Sequence, residues 1–322
     1  MILILSNAVD DGHVPAVAAE LSRRGEEHRL FDPSTYPSSS VATVRSTRLG
    51  LQQLLLWNEF ELDLSEVKSV WYRRPGDFDL SDQLLPGEQK WLHSECSHLF
   101  RAMWNGMHSL WISDPSAIRA ASLKLIQLKV ATEMGFDVPQ FVVTNQVDTA
   151  REFISSCHDG AVLKVLADPV LLGQHGVGMF FTHLVSRGDL DKIDSVRFGP
   201  TFLQAFVEKS MDVRVTVFGE TLFAIGIQTA GVEIARIDFR RAHAYDLPHV
   251  EIVLPDNIST LCIELVKRLG LNFGAIDLLL TPDGRYVFLE INPNGQWYWL
   301  EWMTGVPMTK SLCDMLSKGR EG

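Results

Sequence analysis

Three oxygen-bearing side chains in the segment 273–292, here called the acidic hairpin, are spaced so that they could bind a divalent cation. Asp277 lies in one apolar run, and Glu290 and Asn292 lie in the next, after an Asp283-Gly284 turn. That dipeptide predicts a two-residue hairpin in which Asp277 lies directly opposite Glu290, with Asn292 on the same face. Two facing carboxylates repel each other, and burial raises the cost. Mg²⁺ would remove this conflict, because it takes oxygen ligands from carboxylates, carboxamides, phosphates and water.

Two alternatives to this metal site stay open. The acidic residues could face solvent, although flanking positions such as Leu278 and Phe288 are apolar. A turn longer than two residues would also shift the strand pairing by one position, which changes the face that each side chain occupies.

Cationic side chains occur where they could bind phosphate. Lys164 lies inside an apolar strand pattern, where burying an ammonium is costly unless it reaches an anion such as phosphate. A lysine that extends from a strand edge is the alternative. Arg236, Asp238, Arg240 and Arg241 form a local basic cluster, which indicates either charge stabilisation at a transferring phosphoryl group or a solvated face.

The hydrophobic pattern predicts the elements that must position these groups. The chain starts with a strand at Ile2–Ser6, a helix from Val14 to Arg24 and a strand at His28–Phe31, an order typical of a parallel sheet. Asp114-Pro115 marks a domain boundary. After it come a helix at Ser122–Met134, with Ser122 as its N-cap, and several strands that lead to the acidic hairpin.

A loop at Asp168–Gly178 contains three glycines, Gly173, Gly176 and Gly178. Glycines allow the backbone to approach a ligand and to move. We therefore expect this loop to be a lid, whose closure excludes water from a reactive intermediate. The glycine spacing differs from that of a P-loop.

Composition narrows the class of protein. The 322 residues suffice for two or three domains, and 29 Lys plus Arg against 40 Asp plus Glu give a formal charge of −11. This balance argues against general binding to nucleic-acid backbones but allows a local basic pocket. The sequence has no apolar stretch long enough for a membrane span, and its four cysteines form no CxxC pair. We therefore expect a cytoplasmic protein without nucleic-acid or membrane partners.

Asp277 followed by Glu290-x-Asn292 resembles the metal-binding signature of the ATP-grasp ligases, and the likeness extends from Asp114 to about Gly305. The resemblance implies an ATP-grasp fold of the α/β (α+β) class with three domains. These are an N-terminal pre-ATP-grasp α/β domain at 1–115, a central lid domain at 116–204, and a C-terminal antiparallel-sheet domain with the metal site at 205–322. It also implies ATP and two Mg²⁺ ions as cofactors.

The same resemblance implies roles for other residues. Lys124 and Lys164 look like the two phosphate lysines of the family, and the strand Thr201–Glu208 looks like the one that joins the two grasping domains and reads the adenine edge. A plain core strand is the alternative there. Asp212 would face the ribose, and Arg214 the phosphates or an acyl phosphate. The implied cofactor-binding residues are Lys124, Lys164, Gln204, Phe206, Val207 and Asp212, and the implied catalytic residues are Lys164, Arg214 and Arg240.

Two further stretches, Val70–Pro75 and Lys124–Lys129, resemble the graspetide macrocyclases of the microviridin type. Those enzymes activate Asp or Glu side chains of a ribosomal precursor peptide and join them to Thr, Ser or Lys side chains as ω-esters or ω-amides. The resemblance implies a precursor peptide with a leader segment as partner, and a homodimer as a possible assembly. The substrate-facing residues would be Arg73, Arg74, Arg236 and Arg241, with a structural ion pair as the alternative for Arg73 and Arg74.

Two other functions remain as alternatives. One is a ligase of the ribosomal-protein glutamylating type, which adds free amino acids to a peptide end. The other is a nucleotide-binding module without catalysis, against which the intact set of Asp277, Glu290 and Asn292 argues. The group that deprotonates the nucleophile is open, with His243 and substrate-assisted transfer as equal candidates.

Overall fold

The computed structural model describes residues 1–7, 12–48, 50–167, 170–173, 176–242 and 246–319. The chain divides into two compact units, Met1–Pro115 together with Pro307–Gly322, and Ser116–Val306. The final segment therefore groups with the N-terminal residues, whereas the sequence places it in a C-terminal domain at 205–322; the three-domain division stays a prediction. No helix within the described ranges is long and apolar enough to cross a membrane.

The first unit contains a parallel sheet, as the β-α-β pattern at its start predicts. The strand order is β2-β1-β6-β7, and each neighbouring pair is parallel. The strands are β1 (Ile2–Ser6), β2 (His28–Phe31), β6 (Ser69–Arg74) and β7 (Leu110–Ile112). Every residue of β1 is buried, which agrees with a central strand in a sheet that is covered on both faces.

Helices and a second sheet complete this unit. The helices are α1 (His13–Arg23), α2 (Pro86–Asn105) and α9 (Met308–Lys318), and the second sheet is an antiparallel meander of β3 (Ser40–Thr47), β4 (Gly50–Trp57) and β5 (Phe60–Asp63). The core contains Phe31, Trp57 and Phe100. Helix α9 packs on α1, and its Leu312 and Cys313 are fully buried.

The second unit contains an antiparallel four-stranded sheet, a separate hairpin and an antiparallel five-stranded sheet. The four-stranded sheet has the order β12-β9-β13-β8, and the five-stranded sheet has the order β16-β15-β14-β17-β18. The strands are β8 (Phe141–Thr144), β9 (Ala161–Lys164), β10 (Val170–Gly173), β11 (Gly176–Met179), β12 (His183–Leu184), β13 (Thr201–Ala205), β14 (Met211–Phe218), β15 (Thr221–Ile227), β16 (His249–Ile252), β17 (Phe273–Leu280) and β18 (Tyr286–Asn292). The helices are α3 (Pro115–Ala121), α4 (Lys124–Met134), α5 (Val147–Ser156), α6 (Arg187–Leu190), α7 (Asp256–Arg268) and α8 (Tyr298–Thr304).

One face of the five-stranded sheet forms the core of this unit. Val213 and Val215 of β14 and Ile276 of β17 lie in one apolar cluster with Leu128 of α4 and Leu265 of α7. Since side chains alternate along a strand, the residues between them belong to the opposite face. The sheet therefore separates an apolar face, which holds the helices, from a face on which charged groups can meet.

The acidic hairpin has the predicted central pair but not the predicted turn. The Thr281 N–H donates to the Arg285 carbonyl and the Gly284 N–H to the Thr281 carbonyl, so the loop has three residues rather than two, with Gly284 at positive φ. This longer turn shifts the register by one residue near the loop. A bulge at Leu289 then restores the pairing of Asp277 with Glu290, which is confirmed.

The predicted N-cap of the helix after the domain boundary is wrong. Helix α4 begins at Lys124 with Leu123 before it, and the Ser122 hydroxyl donates to the Ile118 carbonyl of α3. The serine thus hydrogen-bonds a carbonyl in the last turn of α3 instead of capping the N-terminus of α4.

We predict that the substitution Leu312→Ala destabilises the first unit. Removing this fully buried side chain leaves a cavity beneath α9, and the free energy of unfolding should fall by about 2–5 kcal/mol. Chemical denaturation measures the loss, and hydrogen exchange locates it: the amides of β1 should exchange faster, and those of β14 should not. The control Lys310→Ala, at an exposed position of the same helix, should leave both unchanged. Unaltered protection of β1 would contradict the assignment of α9 to this unit.

Candidate functional site

A row of charges crosses the polar face of the five-stranded sheet. Arg214 of β14 lies directly opposite Asp277 of β17, which lies directly opposite Glu290 of β18. The Arg214 Nη1 atom donates to both carboxylate oxygens of Asp277 at 2.7 Å. The two facing carboxylates that the sequence predicts are therefore compensated on one side by a neighbouring strand.

Lys124 compensates the other carboxylate. As the first residue of α4, it places its Nζ 3.0 Å from Glu290 Oε2 and donates a hydrogen bond of 2.9 Å to the Val165 carbonyl. Both partners of the ion pair keep only about a quarter of their side-chain surface exposed or less, at 20% and 26%. The pair is thus shielded from water but still accessible to a ligand.

Lys164 and Gln204 lie beside this row, on the four-stranded sheet. The Lys164 Nζ donates to Gln204 Oε1 at 3.0 Å. Gln204 is only 2% exposed, and its Nε2 has no hydrogen-bond partner among the described residues. A buried amide donor without a partner costs free energy, and this cost would disappear if a ligand accepted a hydrogen bond there.

The pKa shifts indicate that these groups act on one another. Burial raises the pKa of Asp277; Arg214 opposes the rise and Glu290 adds to it. Burial also favours a higher pKa for Glu290, but the positive charges of Lys124 and Lys164 outweigh it and hold that pKa below its usual range. Burial lowers the pKa of Lys164, and the charge of Glu290 opposes this shift.

Arg240 adds a fourth cation to the site. Its charge lowers the pKa values of Asp277 and Glu290, so its guanidinium acts on both carboxylates. Its Nε and Nη2 donate to Asp238 at 2.8 and 2.7 Å. The charges of four cations thus act on one or both of the facing carboxylates, although the whole chain is acidic.

Asn292 completes the set that the sequence predicts for a metal. It lies two residues beyond Glu290, pairs with Ala275 and is exposed. Its Oδ1 accepts a hydrogen bond of 3.1 Å from the Asn294 N–H. In the described part of the chain no three His, Cys, Asp or Glu side chains cluster as metal ligands, so the candidate set consists of two carboxylates and one carboxamide.

The residues predicted to bind the nucleoside are placed less directly. Phe206 and Val207 are half-buried and lie just past the end of β13, which is shorter than the predicted strand. The Arg236 guanidinium lies over the Phe206 ring at 5.2 Å and pairs with Glu208 at 2.8 Å. This contact places Arg236 beside the predicted adenine segment.

Asp212 already has partners. Its Oδ2 lies 2.6 Å from the Lys209 Nζ and accepts a hydrogen bond of 3.0 Å from the Thr229 hydroxyl. Burial raises its pKa despite the charge of Lys209. The predicted contact with a ribose would have to add to these interactions.

The other predicted residues lie elsewhere or outside the described residues. Arg73, which is buried with its Nη2 3.3 Å from the His13 Nδ1, and Arg74, which is exposed, belong to β6 of the first unit. Arg241 donates to the Thr182 carbonyl at 2.8 Å. Of the predicted lid, the strands β10 and β11 are described, but Asp168 and the two residues between the strands lie outside the described residues, and so does His243.

Sequence reasoning assigned no role to two residues that hold the site together. Gln127 of α4 is buried; its Nε2 donates to the Ala121 and Ile291 carbonyls, and its Oε1 accepts from the Ile291 N–H. The side-chain amide thus pairs with the outer edge of β18 between Glu290 and Asn292. Its polar character within an apolar helix pattern was a signal for this role.

The second residue is Gly295, which packs closely over the same face. A Cβ atom there would lie 2.6 Å from Ala275 Cβ and 2.9 Å from Arg214 Nη2. Only glycine fits without displacing the arginine that binds Asp277. A single sequence gives no sign of this contact.

We predict that Gln127→Met destabilises the second unit. The substitution keeps the length of the side chain but leaves the Ile291 N–H and two carbonyls without their partner, at a cost of about 3 kcal/mol. Thermal and chemical denaturation measure the loss. The control Gln140→Met, at an exposed position, should change stability little. Equal stability of the two variants would show that Gln127 does not hold β18.

Comparisons with known proteins agree with this architecture. Residues 1–119 match the family described as the MvdD pre-ATP grasp domain. The crystal structure of the macrocyclase MdnC from Microcystis aeruginosa MRC, bound with the precursor peptide MdnA, is 27% identical, with a TM-score of 0.87 over 99% of both chains. A RiPP-associated ATP-grasp ligase from Chryseobacterium gregarium, in complex with ADP and a leader and core peptide, is 25% identical, with a TM-score of 0.92 over 98% of this chain and 96% of that one.

A curated relative points to the wider class. A protein of Histophilus somni (strain 2336), named "Probable alpha-L-glutamate ligase", is 22% identical over 210 residues, which are 64% of this chain and 67% of that protein. The fold and the resemblance predicted from the sequence are thereby confirmed. The chain is an ATP-grasp ligase that resembles the peptide macrocyclases of the graspetide type.

Proposed function

We propose that this chain is an ATP-dependent peptide macrocyclase. It would phosphorylate Asp or Glu side chains of a ribosomally made precursor peptide and join them to Thr or Ser hydroxyls or Lys amines. The observation that carries the proposal is the charge row Arg214–Asp277–Glu290–Lys124, with Lys164 and Arg240 beside it. Two similar structures, those of the MdnC macrocyclase and the Chryseobacterium ligase, are complexes with peptides, which supports a peptide substrate.

The residues of the site fit ATP and Mg²⁺. Asp277, Glu290 and Asn292 offer the oxygen ligands that Mg²⁺ prefers. The unpartnered Nε2 of Gln204 offers a buried donor to the nucleotide. ATP would supply the phosphoryl group that turns a carboxylate into an acyl phosphate, and Mg²⁺ would neutralise phosphate charge.

The side chains of the protein would do the remaining work by charge and position. Lys124 and Lys164 would neutralise phosphate oxygens, and the lowered pKa of Lys164, caused by burial, reflects the cost that such an anion would offset. Arg214 would stay bound to Asp277 and hold it in place. Arg240 would stabilise the negative charge of the transferring phosphoryl group. The charge of Lys124 lowers the pKa of Glu290 and so keeps that carboxylate ionised, as a metal ligand would have to be.

The proposal also includes features of the partner and the assembly. We expect a peptide with a leader segment, for which the predicted contacts are Arg236 and Arg241 of the second unit and the exposed Arg74 of the first. Arg73 is 1% exposed and fits the structural alternative instead. The homodimer and the cytoplasmic location predicted from the sequence belong to the proposal too. The lid domain at 116–204 would carry both phosphate lysines.

We predict that Asp277→Ala or Glu290→Ala abolishes ATP turnover and leaves the fold intact. Each substitution removes an oxygen ligand, and ADP release should fall at least about 100-fold. A coupled ADP assay measures turnover, and circular dichroism checks the fold. The control Asp283→Ala removes an exposed carboxylate from the turn of the same hairpin and should retain activity. Retained turnover in both variants would refute the metal assignment.

We predict that ADP release depends on a peptide that contains Thr or Ser together with Asp or Glu. Each ring formed should lower the mass of the peptide by one water, because an ester or amide replaces a carboxylate and a hydroxyl or amine. Mass spectrometry after incubation with ATP and Mg²⁺ measures this loss. The same peptide with Asn and Gln in place of Asp and Glu is the matched control.

The likeness to the glutamate ligase favours one second candidate, the addition of free amino acids to a peptide end. In that case ADP release would depend on free glutamate, and the mass of the peptide would rise instead of falling. A non-catalytic module would bind nucleotide without releasing ADP under either condition.

A further inference from the structure

Asp238 is a buried carboxylate, and both of its oxygens accept hydrogen bonds. It is 5% exposed; Oδ1 accepts from the main-chain N–H and Nε of Arg240, and Oδ2 accepts from Arg240 Nη2 and from the Thr182 N–H at 3.1 Å. Burial alone would raise the pKa of Asp238, but the hydrogen bonds and charge of Arg240 outweigh it and lower the pKa to about 2. The group is therefore a fixed anion that joins two segments.

One of these segments is the stem of the β10–β11 hairpin. Thr182 lies between β11 and β12, and both of its main-chain polar groups are bound by the segment 238–241: its N–H by Asp238 and its carbonyl by Arg241 Nη2 at 2.8 Å. The Arg241 guanidinium also lies 5.7 Å from the centre of the Phe181 ring. The next residue, His183, pairs with Leu163, the neighbour of Lys164. The stem thus lies between the strand of Lys164 and the segment of Arg240.

The other segment carries Arg240. The Arg240 guanidinium donates through Nε and Nη2 to the two carboxylate oxygens of Asp238, and this two-pronged pair fixes the plane of the group. The same guanidinium acts on Asp277 and Glu290. Asp238 therefore fixes the orientation of a guanidinium whose charge reaches both carboxylates of the site.

We propose that Asp238 is a positioning residue, which directs Arg240 toward the transferring phosphoryl group and couples that direction to the stem of the β10–β11 hairpin through Thr182. This inference rests on the proposed function. Any change in the position of Thr182 would be passed to Arg240 through the shared carboxylate. The competing explanation is a local cap, since the Asp238 side chain also accepts from the N–H of Arg240 at the start of a short 3₁₀ helix. A cap alone would affect stability but not turnover.

The kinetic test uses Asp238→Asn and Asp238→Ala in the full chain, with ATP, Mg²⁺ and the peptide that supports turnover by the wild type. We expect kcat to fall about 10- to 100-fold, because a displacement of about 1 Å in a charge-stabilising group has effects of this size, with the KM for ATP within about threefold. Asp194→Asn, which removes an exposed charge of the same unit, is the matched control.

A double-mutant cycle with Arg240→Ala separates positioning from a general loss of structure. If Asp238 acts through Arg240, adding Asp238→Asn to Arg240→Ala should lower kcat by less than about twofold further. Losses that multiply would overturn the proposal. A wild-type kcat in Asp238→Asn would also overturn the proposal, and this variant is sufficient for the test if Asp238→Ala fails to fold.

Hydrogen exchange on the ligand-free protein gives a readout that does not need turnover. Exchange in a fragment that covers 179–184 should quicken in both Asp238 variants and stay slow in Arg240→Ala, which keeps the bond from the Thr182 N–H to Asp238. Unchanged exchange in the Asp238 variants would refute the link to the hairpin. If the wild type releases no ADP with any peptide, the proposed function fails, whereas exchange still reports on the link.

Discussion

The site depends on the repulsion between Asp277 and Glu290, which face each other across two neighbouring strands. A sheet holds such a pair only if positive charge lies close by. That charge comes from separate parts of the second unit: Arg214 from the adjacent strand, Lys124 from the start of a helix, Lys164 from the other sheet and Arg240 from a short 3₁₀ helix. The same arrangement that allows the fold to hold two half-buried carboxylates side by side also brings together cations suited to a polyphosphate.

A second constraint on the site is that Glu290 and Asn292 lie on β18, which is an outer strand of the five-stranded sheet. An outer strand has unpaired main-chain groups and can shift in register. Here the side-chain amide of Gln127 binds both main-chain groups of Ile291, and the Asp137 carbonyl accepts from the Phe288 N–H. Since Gln127 and Lys124 share one helix, the contact that fixes the strand also fixes the distance from Lys124 to Glu290.

Much of this could be predicted from the sequence, and the exceptions have physical reasons. The parallel N-terminal sheet and the hairpin follow from local patterns. The predicted pairing of Asp277 with Glu290 is confirmed although the predicted turn is wrong. The longer turn shifts the register by one residue, and the bulge at Leu289 reverses that shift. The bulge depends on a distant partner, Asp137, which no local pattern reveals. The hydroxyl of Ser122 similarly turns to the preceding helix, and the approach of Gly295 to Arg214 depends on tertiary packing alone.

Helix α9 has a consequence for the order in which the chain folds. Its buried face belongs to the core of the unit that begins at Met1, yet it is separated from the rest of that unit by the whole of Ser116–Val306. On the ribosome, the intervening unit can fold as soon as it emerges, since its residues are contiguous. The surface of α1 that α9 covers can be closed only once α9 has been synthesised, so the packing of the N-terminal unit is completed after the whole of Ser116–Val306 has been made.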